Sequence, residues 1–213
     1  MSDLQKWIAS FVLTFLLVVI CYLWIDRPIA LLAHDAHRLN FLIKLQSRTP
    51  LIMAPLAGLA LLLLAVRALM RRPFTRPYVV LLLCAVSFSI VEGLKTYLKI
   101  AFGRTWPESW MGPHISFIRD GVYGFYPFHG GPAYTAFPSG HIAAVCAVAS
   151  VLWACYPKFR PLYVLFVLVT AIALVVSNLH FVSDVIAGVF LGISIGWIAT
   201  AMWRAGVHSR IDL

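Results

Sequence analysis

Long apolar runs separated by short polar clusters organise this chain. Six stand out, at about 7–25, 51–69, 78–99, 140–156, 161–179 and 184–203. Each is near the roughly 20 residues that a helix needs to cross a hydrocarbon core. None shows the alternating segments of about ten residues that mark a barrel strand. A bilayer cannot satisfy open backbone groups, whereas a helix satisfies its own. The pattern therefore predicts an all-α membrane protein with six transmembrane helices. Pro55 falls in the second run and is expected near that helix's start, where proline is tolerated.

Composition supports this reading. The 213 residues are 62% hydrophobic and the mean hydropathy is +0.89, against about half apolar for soluble domains. The first run is followed by "WIDRP" and not by a small-residue cleavage site, so it is expected to be a retained helix. No repeat, low-complexity linker or compositional break divides the chain, and residues 1–213 are expected to form one domain. Cys21, Cys84, Cys146 and Cys155 lie far apart inside apolar runs, which suits packed thiols better than disulfides or a metal site.

Six spans place both termini on one side of the membrane. That side receives nine of the Lys and Arg residues and the other receives eight. The densest basic cluster is the short loop "RALMRRPFTR", and short loops are what the positive-inside rule counts. Both termini are therefore expected in the cytoplasm of a cell's inner membrane. The net charge of +9 needs no nucleic acid, because much of it flanks the membrane and the rest suits an anionic ligand. The third connection, residues 100–139, is much longer than the fourth and fifth, and long loops in compact domains tend to be functional. Its density of aromatics, among them Trp106, Tyr123, Phe125 and Phe137, suggests a loop lying in the membrane interface.

Polar residues gather where apolar runs end. Lys99 and Arg104 lie at the end of the third span. "FPSGH", Phe137 to His141, opens the fourth. "NLHFVSD", Asn178 to Asp184, joins the fifth to the sixth. Alternating topology brings all three segments to one face, the extracytoplasmic one. Arginine can grip a phosphate bidentately, and a lysine adds fixed positive charge. Gly140 lets the backbone approach an anion, and a helix opening near His141 offers free N–H groups and a positive dipole end. Ser139 suits either a helix cap or a hydroxyl donor to ligand. Asp184 follows His180 by four residues. On one continuous helix they share a face; if the helix starts near Ser183, contact must come through the turn. In both cases Asp184 can hold one ring nitrogen protonated and leave the other free to attack. His141 can protonate a leaving oxygen. Together these groups point to phosphoryl transfer through a phosphohistidine.

The segments "KIAFGRTWP", "FPSGH" and "HFVSD" resemble, in order and on matching helix ends, the three motifs of the type 2 phosphatidic acid phosphatase (PAP2) superfamily. The resemblance implies a six-helix bundle that works without a metal or other cofactor. It makes His180 the nucleophile, Asp184 its orienting partner and His141 the acid, with Lys99, Ser139 and Gly140 as phosphate ligands. Two positions depart from the family pattern. Trp106 stands where the first motif has arginine, and Ala173-Leu174 where the third has Ser-Arg. Arg104 is expected to take over part of the lost role, with Arg119, Lys95, His129 and Asn178 as further candidates.

The expected activity is a membrane lipid-phosphate phosphatase. Its substrate is an amphiphile such as a polyprenyl pyrophosphate, phosphatidylglycerophosphate, phosphatidic acid or lipid A, drawn from the bilayer. A phosphotransferase using the same intermediate and a non-catalytic lipid-binding or transport protein are the alternatives. Outside the motifs, His34 and His37 in "HDAH" offer two ligands, which do not make a metal site. Glu92 and Lys95 suit an (i, i+3) pair inside the third span, and Glu108 and Asp120 read as solvated loop charges.

Overall fold

The computed structural model describes residues 2–35, 40–109 and 114–208. Helix α1, Asp3–Ile20, opens on a capping box: Ser2 Oγ accepts from the Gln5 N–H and the Gln5 side chain accepts from the Ser2 N–H. It continues through a π-helical turn, Cys21–Ile25, into α2, Asp26–Asp35. The other helices are α3, Asn40–Leu69; α4, Arg76–Phe102; the short α5, Phe117–Asp120; α6, Gly140–Cys155; α7, Arg160–Val176; and α8, Val182–His208. Among the described residues there is no strand, only isolated bridges within the long connection.

The chain is a multi-pass membrane protein. Five of its helical stretches, Asp3–Asp35, Ile52–Leu69, Arg76–Phe102, Pro157–Val176 and Val182–Gly206, are long and apolar enough to cross a bilayer. The fourth expected span, α6, is apolar but only 16 residues long. Helix α3 begins well before residue 51, so Pro55 lies in its interior and not near its start. Cys21, Cys146 and Cys155 are buried and Cys84 is partly buried.

Helix α6 is the centre of the bundle. Ala143, Ala144 and Ala147 are buried against Phe88 and Val91 of α4 and Ile195 of α8. The approach of α8 is closer than side chains normally permit. Gly188, Gly192 and Gly196 repeat every four residues on one face of α8, and a β-carbon on any of them would strike the Ser139, Ala143 or Ala147 carbonyl. Such small-residue stripes let membrane helices meet backbone to backbone. Leu13, Phe15, Leu63, Phe166 and Ile172 point outwards, the apolar exterior that lipid tails cover.

Candidate active site

Helix α4 stops at Gly103, whose φ of +59° and whose contact with the Tyr126 carbonyl leave no room for a side chain. Its N–H donates to the Lys99 carbonyl, a left-handed helix cap. The chain then turns inwards and buries Arg104 completely. Ser139 begins α6 as its N-cap residue, and its own N–H donates to the Asp184 carbonyl at 3.0 Å. At the end of α7 the Leu174 carbonyl accepts from the His180 N–H at 3.2 Å. The three polar segments therefore converge at one end of the bundle.

Helix α8 starts at Val182, so His180 lies in the turn before it. Asp184, in the first turn, reaches back and accepts the Phe181 N–H at 2.9 Å on Oδ2, the half of a capping box that an acidic side chain supplies. The same oxygen stands 3.5 Å from His180 Nδ1. That is a long contact, an electrostatic pairing without the alignment of a good hydrogen bond. His180 is buried, and burial pushes its pKa below the ordinary imidazole value; Asp184 opposes the shift and Lys99 adds to it. The imidazole is thus held neutral, with Asp184 behind Nδ1.

His141 meets the His180 ring at 5.9 Å between centroids. Lys99 Nζ lies 5.4 Å from the Trp106 ring, and Trp106 in turn lies 5.1 Å from the His180 ring. Gly140 rests on Lys95, whose Cδ a β-carbon would meet at 2.5 Å. Lys95 is bonded to Glu92 at 2.6 Å, the (i, i+3) pair expected from the sequence. Three side chains here keep buried polar atoms without a hydrogen-bond partner: Ser139 Oγ, His141 Nε2 and both nitrogens of His180. Native proteins leave few buried polar groups unpaired, and these are gathered at one spot.

Arg104, expected to help grip a phosphate, has both terminal nitrogens engaged within the protein. Its Nη1 donates to Ser183 Oγ at 2.5 Å and to Asp184 Oδ1 at 3.0 Å, and its Nη2 to Asp26 Oδ2 at 2.7 Å. Four rings surround the guanidinium, those of Tyr22, Tyr123, Phe125 and Phe181. Two of these rings, Tyr123 and Phe125, come from the aromatic connection and pack inwards, whereas Tyr126 and Phe128 of the same connection stay exposed. The remaining candidates lie elsewhere. Arg119 pairs with Asp120, His129 packs on Tyr134, and Asn178 donates to the Ala30 carbonyl. Glu108 is no solvated charge, since His34 Nδ1 stands 3.3 Å from its carboxylate. His37 lies outside the described residues. Among those residues, no three His, Cys, Asp or Glu side chains gather as metal ligands do.

Residues 77–207, more than half of the chain, match the family model of the PAP2 superfamily. The chain belongs to the PAP2 superfamily. It is 32% identical over 120 residues to a lipid A 1-phosphatase of Rhizobium etli, a match covering 56% of this chain and 47% of that protein. A lipid A 1-phosphatase of Rhizobium johnstonii is 32% identical over 99 residues, 46% of this chain and 38% of that one. The chain thus spans less than half the length of these curated relatives. Its fold matches the crystal structure of a transmembrane PAP2-type phosphatidylglycerolphosphate phosphatase from Bacillus subtilis, with a TM-score of 0.58 and 20% identity over 94% of this chain and 96% of that one. At that identity the likeness speaks for the fold.

The two PAP2 positions that lack arginine now have surroundings. Leu174 is fully buried with Ile142, Cys146, Leu179 and Val185, an apolar niche that offers nothing to an anion. Trp106 is half-buried and closes one side of His180, its indole N–H donating to the Pro132 carbonyl at 2.8 Å. Sequence reasoning missed Asp26, a carboxylate directly behind an apolar run, and it missed the Gly188–Gly192–Gly196 stripe. Both had a legible signal: a charge at membrane depth is a functional suspect, and glycines four apart mark a helix contact.

Proposed function

We propose that this PAP2 protein is a metal-independent membrane lipid phosphatase that works through a phosphohistidine at His180. The observation that carries the reading is the buried His180 ring, set edge-on against His141 at 5.9 Å with Asp184 3.5 Å from its Nδ1. A packed core has no structural need for two buried histidines and a carboxylate gathered in this way. The phosphoryl group sits at the start of α6, where backbone N–H groups have no intrahelical partner. Lys99 and the Ser139 hydroxyl complete its cradle with the Gly140 backbone.

Nε2 attacks phosphorus, the N–P bond forms and the P–O bond to the lipid breaks. His141 gives its proton to the leaving oxygen, and the lipid departs as an alcohol. Water then attacks phosphorus, His141 takes its proton, the N–P bond breaks and inorganic phosphate leaves. Arg104 holds Asp184 in place and does not touch the phosphate.

The substrate is a lipid. An apolar groove of about 590 Å³ between α1, α4 and α8, lined by Phe11, Tyr22, Leu98, Phe102, Phe137 and Leu191, reaches Pro138, next to Ser139. Acyl chains lying there place a headgroup phosphate at the start of α6. The lipid A 1-phosphatases among its relatives make a lipid A phosphate one candidate. In the cell, α6 serves as the sixth span, the termini face the cytoplasm, and the site opens at the outer face of the inner membrane.

The test is phosphate release by purified protein in detergent, with lipid A, phosphatidylglycerophosphate, phosphatidic acid and a polyprenyl pyrophosphate each supplied in turn. Release in EDTA together with an acid-labile, base-stable phosphoryl adduct on His180 is expected. No release from any of them, or turnover that needs an added divalent ion, contradicts the reading.

A further inference from the structure

Asp26 opens α2, outside the three segments that carry the PAP2 motifs. It is nonetheless among the most buried carboxylates in the protein, 1% exposed. Every polar atom it has is used. Oδ1 accepts the Ser183 N–H at 3.0 Å. Oδ2 accepts from the Ser183 hydroxyl and from Arg104 Nη2, with the Tyr123 hydroxyl 3.2 Å away. Arg104 continues to Asp184 Oδ1, and Asp184 Oδ2 faces His180. One unbroken chain of contacts therefore runs from α2 to the nucleophile.

The local backbone is built to deliver this carboxylate. The π-helical turn Cys21–Ile25 ends at Asp26, whose N–H donates to the Cys21 carbonyl. One extra residue in a turn rotates everything downstream by roughly 100°. The Tyr22 carbonyl, outside the usual ladder, accepts from the Tyr123 hydroxyl at 2.7 Å. The turn thus aims Asp26 inwards and locks the aromatic connection with the same irregularity.

Charge gives the network a purpose. Asp26 and Asp184 carry two negative charges against the single positive charge of Arg104. With Arg104 alone, Asp184 would be neutralised from behind and would have little left to offer His180. When Nε2 bonds phosphorus the ring becomes an imidazolium, with its proton on Nδ1. The surplus negative charge opposes the cations of α4, Lys99 near that ring and Lys95 near the neighbouring His141.

We propose that Asp26 is a positioning residue for the phosphoryl-transfer reaction: through Arg104 it fixes Asp184 against His180 and leaves one net negative charge to stabilise the imidazolium. The inference rests on the phosphohistidine reading above. It predicts an order set by charge. Asp26→Asn leaves the buried set neutral, Arg104→Gln leaves it at two negative charges, and the double variant restores one.

Two measurements on the purified full chain test it. The first is kcat, KM and the acid limb of kcat/KM with dioleoyl phosphatidic acid in detergent micelles. The second is the ¹⁵N NMR titration of His180, assigned by its loss in His180→Ala, which reads ring charge whether or not turnover occurs. Asp26→Asn should lower kcat about tenfold or more through a misplaced Asp184, with KM within about threefold. Its His180 midpoint should fall by about half a unit or more, because less negative charge disfavours the imidazolium. Asp26→Glu should recover most of kcat, and Arg104→Gln should raise the midpoint. A folded Asp26→Asn protein with unchanged kcat and midpoint overturns the proposal. If that variant does not fold, the double variant decides. A midpoint within about half a unit of the wild type is expected, and a larger displacement overturns the proposal. Wild-type protein silent on phosphatidic acid counts against that substrate, and silence on every lipid phosphate against the phosphatase reading; the titration still judges Asp26.

Discussion

Arg104 and His180 both meet Asp184, from the two oxygens of one carboxylate, in opposite surroundings. Around Arg104 the polar atoms are matched: two carboxylates, a serine and a tyrosine take up both terminal nitrogens, and only Nε lacks a partner. Around His180 they are not: Ser139 Oγ, His141 Nε2 and both His180 nitrogens stand unpaired. A satisfied buried network rigidifies a protein, and an unsatisfied one costs free energy unless something else fills it. Nearness to the motifs does not separate the two residues, since both lie within them. Their partners separate them, and the proposed mechanism gives holding to Arg104 and reacting to His180.

The largest expected effect tests the reacting side. His180→Ala should reduce kcat by on the order of 10⁴-fold or more, since it removes the nucleophile itself. The protein should still fold, because Asp184 keeps its bonds to Arg104 and to the Phe181 N–H without the ring. Residual turnover near wild type in a folded His180→Ala sample ends the mechanism.

Next comes the holding side. Arg104→Ala strands Asp26 and Asp184 as buried, unpaired charges, and breaking such a pair from one side costs about 3–5 kcal/mol. Unfolding in detergent should show that loss, and activity should fall with it. Arg104→Lys keeps the charge but not the fork, so its stability should lie between the two. An Arg104→Ala protein as stable as the wild type, with phosphate binding alone impaired, would return Arg104 to the ligand role suggested by its place in the first motif.

A smaller effect concerns pH. Burial keeps the His180 imidazole neutral in spite of Asp184. Protonation disables the nucleophile, so a lowered pKa moves the loss of activity to more acid solution. The acid limb of kcat/KM reports the free enzyme, and it should lie below the ordinary histidine value of about 6.5. A limb above that value would mean that Asp184 outweighs burial.

Much of this was legible in the sequence, for definite reasons. Lys99, Ser139, His141, His180 and Asp184 interrupt apolar runs, and polar groups at membrane depth are conspicuous. Helix type was equally plain, because a bilayer permits little else. The partners of Arg104 were hidden, since a cation two residues from a lost arginine looks like its substitute. Those partners, Asp26 and Asp184, are 78 and 80 residues away in the chain. The length of α3 was hidden for another reason: Pro55 reads as a boundary, yet neighbouring helices and local adjustments can re-satisfy a freed carbonyl. The inward packing of Tyr123 and Phe125 on Arg104 was concealed too, because aromatic density by itself does not say which rings cage a cation.

The smallest expected effect sharpens the boundary between the two clusters. Trp106 occupies the place of a PAP2 arginine and touches both sides of the pocket, through His180 at 5.1 Å and Lys99 at 5.4 Å. Its indole N–H donates to the Pro132 carbonyl in the exposed connection, so losing that bond should cost about 1 kcal/mol of stability. Trp106→Arg brings a fork-shaped cation to the rim of the phosphate cradle. Inorganic phosphate should then inhibit more tightly, by roughly three- to tenfold, as about 1 kcal/mol of added charge-assisted bonding implies. The chemical step should change less, because a cation beside His180 also disfavours the imidazolium. Trp106→Ala should leave phosphate inhibition unchanged and raise KM for the lipid, since only a wall is lost. Inhibition constants for phosphate in the three proteins decide the matter. If Trp106→Arg binds phosphate no better than the wild type, Trp106 lies outside the cradle, and the cradle's cations are those of α4 alone.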